Sequence, residues 1–314
     1  MFSLVKLSQR SQLVLTGLVV YTLNYFFQLP LQVQLGIFAL GILITGIPHG
    51  AMDHLLYFKQ HPDGKPLNKW IRFSSFYLGY ALLYGLLWTI HIQLAILVFI
   101  GISAYHFGEL DLKEILVRNS VAERLIATSY GLLFLVNYLL FRWPEVNEIL
   151  SGFPGFNIQE LSFLNDWYSI KYLIISASAI VVIMLLLCYY LVYQKPLKHL
   201  FYHLLPLAFV CFITYQLPLF LGFGFYFSAW HSILSITEIK AALGWSDRSW
   251  FYALKKTWFT NLAAFLFIGS MFFFFYGELN RIIAVLFMSI AVLTAPHIQV
   301  ISSMLSAKAA PDKI

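Results

Sequence analysis

Apolar stretches of about 20 residues recur along almost the whole chain, with the charged residues confined to the short segments between them. A run of about 20 apolar residues is what a helix needs to cross a bilayer. Such runs fall at roughly 12–29, 32–57, 71–91, 93–110, 122–141, 172–194, 198–217, 218–239, 257–277 and 282–306. They are broken at Pro30, His61 to Lys69, His91, Asp111 to Arg124, Arg142 to Lys171, Lys195–Pro196, Pro218, Lys240 to Lys256 and Gly277 to Asn280. Composition excludes the soluble alternative. Only 11% of the 314 residues are charged and 60% are hydrophobic, whereas a soluble domain carries about 25% charged residues. The expected fold class is therefore all-α: a polytopic transmembrane helical bundle of about ten spans, forming a single integral membrane domain over residues 1–314.

The net charge of +6 does not form a basic patch, so nucleic acid is not an expected partner. Lys and Arg alternate in density from one connecting segment to the next. With the N-terminus inside, seventeen of the 20 lie in cytoplasmic segments, from Lys6 and Arg10 through Arg118 to Lys308 and Lys313. Only Arg142, Lys171 and Arg281 lie outside, and this asymmetry is the main determinant of orientation. Both termini are thus expected in the cytoplasm and the protein in the cell membrane. Lys6 and Arg10 precede the first apolar run as in a signal peptide, but no small-residue cleavage site follows, so an uncleaved first span is expected. The long segment Arg142 to Asp166, with Gly152, Pro154 and Gly155, is expected to lie along the interface or cap the bundle. Cys188 and Cys211 sit inside apolar runs and read as small core residues, with no disulfide expected.

Nine histidines separate by depth. His61, His91 and His199 lie at span ends, and His203, one turn from Lys198, is expected at the interface. His49, His106, His231 and His297 lie well inside the second, fourth, eighth and tenth spans, which run in one direction. Each falls about 6–15 Å from the cytoplasmic end at 1.5 Å per residue. Four imidazoles at one level on four helices can converge as metal ligands do in helical bundles. Ionisable groups within a membrane are functional candidates because each is costly unless paired. Asp53 is four residues after His49, Glu109 three after His106 and Glu238 two turns after His231, so each is placed either to support a ligand and neutralise a cation or to solvate the cytoplasmic helix end. His54, five after His49, points about 140° away. Gly46, Gly50, Ala51, Gly101, Gly108, Gly222 and Gly224 would allow close helix approach near the histidines.

Imidazole suits Zn, Cu, Fe and Ni alike. The clustered HxxxH and HxxHH pairs of a di-iron desaturase are absent, as is the HExxH of a zinc protease. A mononuclear metal site, a bis-histidine haem b and a proton relay in a transporter all stay open on the residues alone.

Taken in order, Gly46-Ile47-Pro48-His49-Gly50-Ala51-Met52-Asp53, Tyr105-His106-Phe107-Gly108, His231-Ser232 and Pro296-His297 resemble the motifs of the Brp/Blh family. These are the bacterio-opsin-related membrane β-carotene 15,15′-dioxygenases, and the motifs extend from the second span to the last. The resemblance implies a membrane enzyme that cleaves β-carotene or a related carotenoid at its central double bond with O2, giving retinal, at a single non-haem Fe(II) on the cytoplasmic side. It carries His49, His106 and His231 over as iron ligands. The family's fourth ligand, one turn after His231, is Ser235 here, a poor Fe(II) ligand, so either the site has three histidines or His297 or Glu238 completes the set, His297 being preferred. An apolar polyene calls for an aromatic tunnel open to the bilayer, for which Tyr105, Phe107, Phe223, Phe225, Tyr226, Phe227 and Trp230 are the candidates. A retinal acceptor such as a rhodopsin is an implied partner.

Overall fold

The computed structural model describes residues 8–115, 120–153, 155–157, 159, 163–274 and 279–309. Lys6, Arg118, Lys313, Pro154 and Gly277, used above, lie outside the described residues. The elements are α1 (Gln9–Phe27), α2 (Leu31–Gln60), α3 (Pro66–Ile90), α4 (Ile92–Asp111), α5 (Val121–Phe141), α6 (Trp143–Ser151), α7 (Phe163–Ser169), α8 (Lys171–Val192), α9 (Leu197–Gln216), α10 (Leu219–Leu243), α11 (Trp250–Lys256), α12 (Trp258–Phe274) and α13 (Leu279–Ala309). No strand occurs among the described residues. All ten apolar runs are helices, and eight of these are long and apolar enough to span a membrane. The two that fall short are α1, which spends its first turn on Gln9, Arg10, Ser11 and Gln12, and α12, with 17 described residues. The fold is an all-α polytopic bundle.

Local chemistry sets the helix ends. Ser120 and Glu123 form a capping box at the start of α5, Ser249 caps α11, and the His91 ring accepts the Leu94 N–H at the start of α4. Pro66 occupies the first turn of α3, where a missing N–H costs nothing. Gly244, at φ +77°, closes α10 in the left-handed conformation.

Helix α10 is the centre of the bundle: 89% of its apolar window is buried, against 17% for α3 and for α8. The outer helices turn leucines such as Leu82, Leu83 and Leu173 outward, a surface that suits lipid. Contacts also distinguish the two ends of the bundle. At one end Arg10 donates to the Asp111 and Tyr202 carbonyls, Lys59 to that of Ala242, and Lys113 pairs with Glu238 at 2.6 Å. At the other, Arg142 donates to the Tyr215 carbonyl, Asn280 to Glu148, and Phe153 stacks on Trp88. The segment after Arg142 therefore caps this second end through α6, burying Trp143 and Phe153. Cys188 and Cys211 are free; Cys188, expected in the core, is exposed on the outside of α8, and Cys211 is half-buried.

The tightest packing is between α4 and α5. A Cβ on Gly108 would collide with the Ala127 carbonyl, and one on Gly131 with that of Ala104. Ala104-xxx-Gly108 and Ala127-xxx-Gly131 thus form two facing small-residue pairs, the arrangement that lets membrane helices approach backbone to backbone. This contact holds His106 in place along α4. Gly131→Ala is expected to destabilise the protein by about 1–3 kcal/mol, the usual cost of overpacking. A thermal melt in detergent should show a lowered midpoint, and an unchanged one would disprove the close approach.

Candidate metal centre

The four membrane-depth histidines meet. His49 lies 5.5 Å from His231 and 4.7 Å from His297, ring centroid to centroid; His106 lies 4.9 Å from His231 and 5.2 Å from His297. They form a closed circuit contributed by α2, α4, α10 and α13, and each residue is at most 4% exposed. A metal–imidazole bond of about 2.1 Å puts a ring centroid about 3.2 Å from the ion, so neighbouring ligand rings stand about 4.5–5.5 Å apart for angles of 90–120°. The observed spacings fall in that range. Among the described residues no group of three or more His, Cys, Asp or Glu side chains is placed so that it could hold a metal ion as the side chains stand; the rings pack edge to face instead, at 71–84°. Turning an imidazole about its soft outer torsion requires no helix movement.

Backbone irregularities bring the rings inward. Ile42–Gly46 is a π-helical turn just ahead of His49, and Phe225–His231 is another that ends on His231. Such turns insert an extra residue and recur at functional sites. The two pack on each other: Thr45 donates to the Ser228 carbonyl at 2.8 Å, and Gly41 and Gly46 leave room for Ser228 and Phe227. A second break at Met52 separates His49 from Asp53.

Hydrogen bonds define the ring orientations. His297 Nδ1 lies 2.9 and 3.0 Å from the two Asp53 carboxylate oxygens, so it is the protonated nitrogen and Nε2 carries the lone pair. That Nε2 is buried without a partner. His49 Nδ1 faces the Thr45 carbonyl at 3.3 Å and Ser232 Oγ at 3.2 Å, which likewise leaves Nε2 as its lone-pair nitrogen. Ser232 is held by its own bond to the Phe227 carbonyl. His106 has both nitrogens buried and neither bonded. Buried unsatisfied nitrogens are rare and call for an explanation, an unseen ion among them.

The structure redistributes the supporting residues nominated from spacing. Asp53 supports His297, not His49, because the helix break at Met52 cancels the i+4 relation; it also accepts from Tyr77 at 3.1 Å. Glu109 is bonded by Tyr105 at 2.7 Å and Ser302 at 2.6 Å, and Glu238 by Lys113. These carboxylates tie helices together near one end of the bundle. Ser235 is buried with its hydroxyl unpartnered. His54 turns away and stacks on Trp70 at 5.1 Å. His203, expected at the interface, is 3% exposed and lies beside Tyr190. Tyr77 and Ser232 were not singled out from sequence. Only Ser232 carried a signal, as the neighbour of His231.

A cavity of about 310 Å³ opens against the circuit, with His49 and His297 in its wall. Of the aromatic residues nominated for a substrate tunnel, only Phe227 lines it. Phe107, Tyr226 and Phe227 instead pack around His231, Phe223 stacks on Phe227, and Tyr226 on Phe134. Phe225 and Trp230 are buried, Trp230 donating to Asp111, and Tyr105 is the partner of Glu109. The physical reason is that α10 is enclosed on every side, so nearness to His231 in sequence does not select the side that faces space.

The model of the β-carotene 15,15′-dioxygenase family matches residues 40–305, most of the chain and all four histidines. No curated protein and no solved structure matches. The chain belongs to the β-carotene 15,15′-dioxygenase family.

Two unpaired nitrogens at His106 should be a burden on the metal-free bundle, at about 1–3 kcal/mol for a buried unsatisfied group. His106→Leu, similar in size and apolar, is therefore expected to raise the unfolding midpoint of chelator-treated protein in detergent. A lowered midpoint would mean that His106 has a structural partner.

Proposed function

We propose that this member of the β-carotene 15,15′-dioxygenase family holds a single Fe(II) with His49, His106, His231 and His297, and cleaves β-carotene or a related carotenoid at its central double bond with O2. The observation that carries the reading is the set of buried imidazole nitrogens without a hydrogen-bond partner in the centre of the bundle, Nε2 of His297 and both nitrogens of His106, of which one on each neutral ring carries a lone pair, in a circuit of rings at ligand spacing. The donor set fits a borderline cation such as Fe(II), with no thiolate among the ligands. When bound, the ion would supply a Lewis-acidic redox centre at which O2 can react with the polyene.

The chain's own residues do the rest. Asp53, held by Tyr77, donates negative charge toward His297 and fixes its tautomer, as carboxylates behind ligating histidines do. Ser232 and the Thr45 carbonyl hold His49 in the same sense. Phe107, Tyr226 and Phe227 shut His231 off from water, and the cavity beside His49 and His297 is lined chiefly by apolar groups, as an uncharged hydrocarbon requires. The balance is simple: the central C=C and the O=O bonds break, two C=O bonds form, and two retinals result without any proton leaving or entering. No general acid is needed, which agrees with carboxylates engaged in helix-to-helix bonds. The Lys/Arg asymmetry supports a cytoplasmic position for the end joined by Arg10, Lys59 and Lys113, with the metal nearer that side. Retinal released into the bilayer is then available to an acceptor such as a rhodopsin.

Expression in β-carotene-producing cells should discharge their colour and accumulate retinal, and His106→Ala should abolish both. Purified without chelator, the protein should carry about one iron per chain; a Soret band instead would mean haem. Asp53→Asn should weaken metal affinity by about 10–100-fold, read by chelator competition. Cells that stay orange with folded, iron-loaded protein present would refute the reading.

A further inference from the structure

The cavity is a slot between two helices that carry none of the histidine motifs. Its long walls are one stripe of α3, Trp70, Phe73, Ser74, Tyr77, Leu78 and Ala81, at helical spacing, and one stripe of α12 that includes Phe259, Ala263 and Ala264. Its base is α13 and the His49 segment of α2. Leu78, which lines the slot, is also 59% exposed on the outside of the bundle, whereas Phe259, 58% exposed, stands in the first turn of α12 at one end of the slot. A side chain can do both only where the cavity opens. Leu78 lies midway along the 25-residue α3, so the mouth is at the level of the lipid tails and not at either polar face.

One end of the slot is closed. Trp70 meets Phe259 edge to face at 6.2 Å, and His54 stacks behind Trp70 at 5.1 Å, its own Nδ1 bonded to the Ala51 carbonyl. The opposite wall is kept wide by Ala263 and Ala264. The volume of about 310 Å³ lies at the small end of ligand pockets, roughly 300–1,000 Å³, so a long polyene cannot be enclosed whole and must extend through the mouth.

We propose that the gap between α3 and α12 is a lateral portal, through which an apolar polyene passes from the bilayer core and lies along the Ser74 and Ala264 walls with its reacting bond beside His49 and His297. The occupant's chemistry rests on the function proposed above. Entry from the lipid follows from Leu78, exposed at the mouth. A hydrocarbon dissolved among the acyl chains crosses no aqueous layer on this route.

The test places a cysteine in the slot. In a background with Cys188→Ala and Cys211→Ala, Ser74→Cys in liposomes is reacted with a lipid-soluble maleimide, with and without β-carotene in the bilayer. Leu83→Cys, on the same helix but facing outward at 72% exposure, is the control. β-Carotene should slow labelling of Ser74→Cys several-fold and leave Leu83→Cys unchanged, in metal-loaded and chelator-treated protein alike. Two further variants narrow the route sterically: Ala264→Trp inside and Leu78→Trp at the lipid-exposed mouth, where folding tolerates bulk. Both should lower kcat/KM for β-carotene by on the order of tenfold or more with the iron content unchanged. If Ser74→Cys is not protected while the wild type makes retinal, the portal is wrong and the enzymatic reading stands. If Ser74→Cys is protected but no retinal forms and no iron binds, the portal stands and the enzymatic reading fails.

Discussion

Four imidazoles buried at one depth in a helical bundle are unfavourable unless each nitrogen has a partner. The arrangement in the centre of this molecule answers that constraint. One nitrogen of His297 is bonded to Asp53 and one of His49 to Thr45 and Ser232, and each such bond leaves Nε2 as the ring's lone-pair nitrogen. Asp53 in turn is held by Tyr77 from another helix. These polar groups would cost stability in an apolar core if they had no further role, and both nitrogens of His106 are buried without a hydrogen-bond partner.

Holding the circuit requires backbone that departs from regular helix. The π turns ahead of His49 and up to His231 rotate those side chains relative to the rest of α2 and α10, and the two turns lock together through Thr45 and Ser228. On the other side, the paired small residues of α4 and α5 bring backbones into contact and hold His106 at its level. Glu109 and Glu238 belong to this scaffold: with Tyr105, Ser302 and Lys113 they join α4 to α13 and α10. The histidines are thus held by packed helices, and the cavity of about 310 Å³ beside them lies on the side of α3 and α12.

That asymmetry divides labour among the histidines. His49 and His297 face the cavity, whereas His231 is walled by Phe107, Tyr226 and Phe227. An apolar ligand in this cavity therefore meets His49 and His297 and not His231. For a molecule that lives in lipid, a mouth at mid-membrane removes any need to pass through water, and the outward leucines of α3 present it with surroundings like the bilayer it leaves.

The sequence by itself determined the solvent, the helical class, every long helix and the four histidines, because apolar run length and the rarity of buried ionisable groups are properties of local composition. It also carried the family motifs. Only the tertiary structure decided which carboxylate serves which histidine. Spacing pairs Asp53 with His49, but a break at Met52 and two π turns shift the faces, and such irregularities leave no periodic trace. Likewise the cavity could not be read from aromatic residues beside His231, since its walls come from Trp70 to Ala81 and from α12, distant in the chain. What a side chain faces is set by which helices enclose it, and that is a property of packing among segments, not of any one of them.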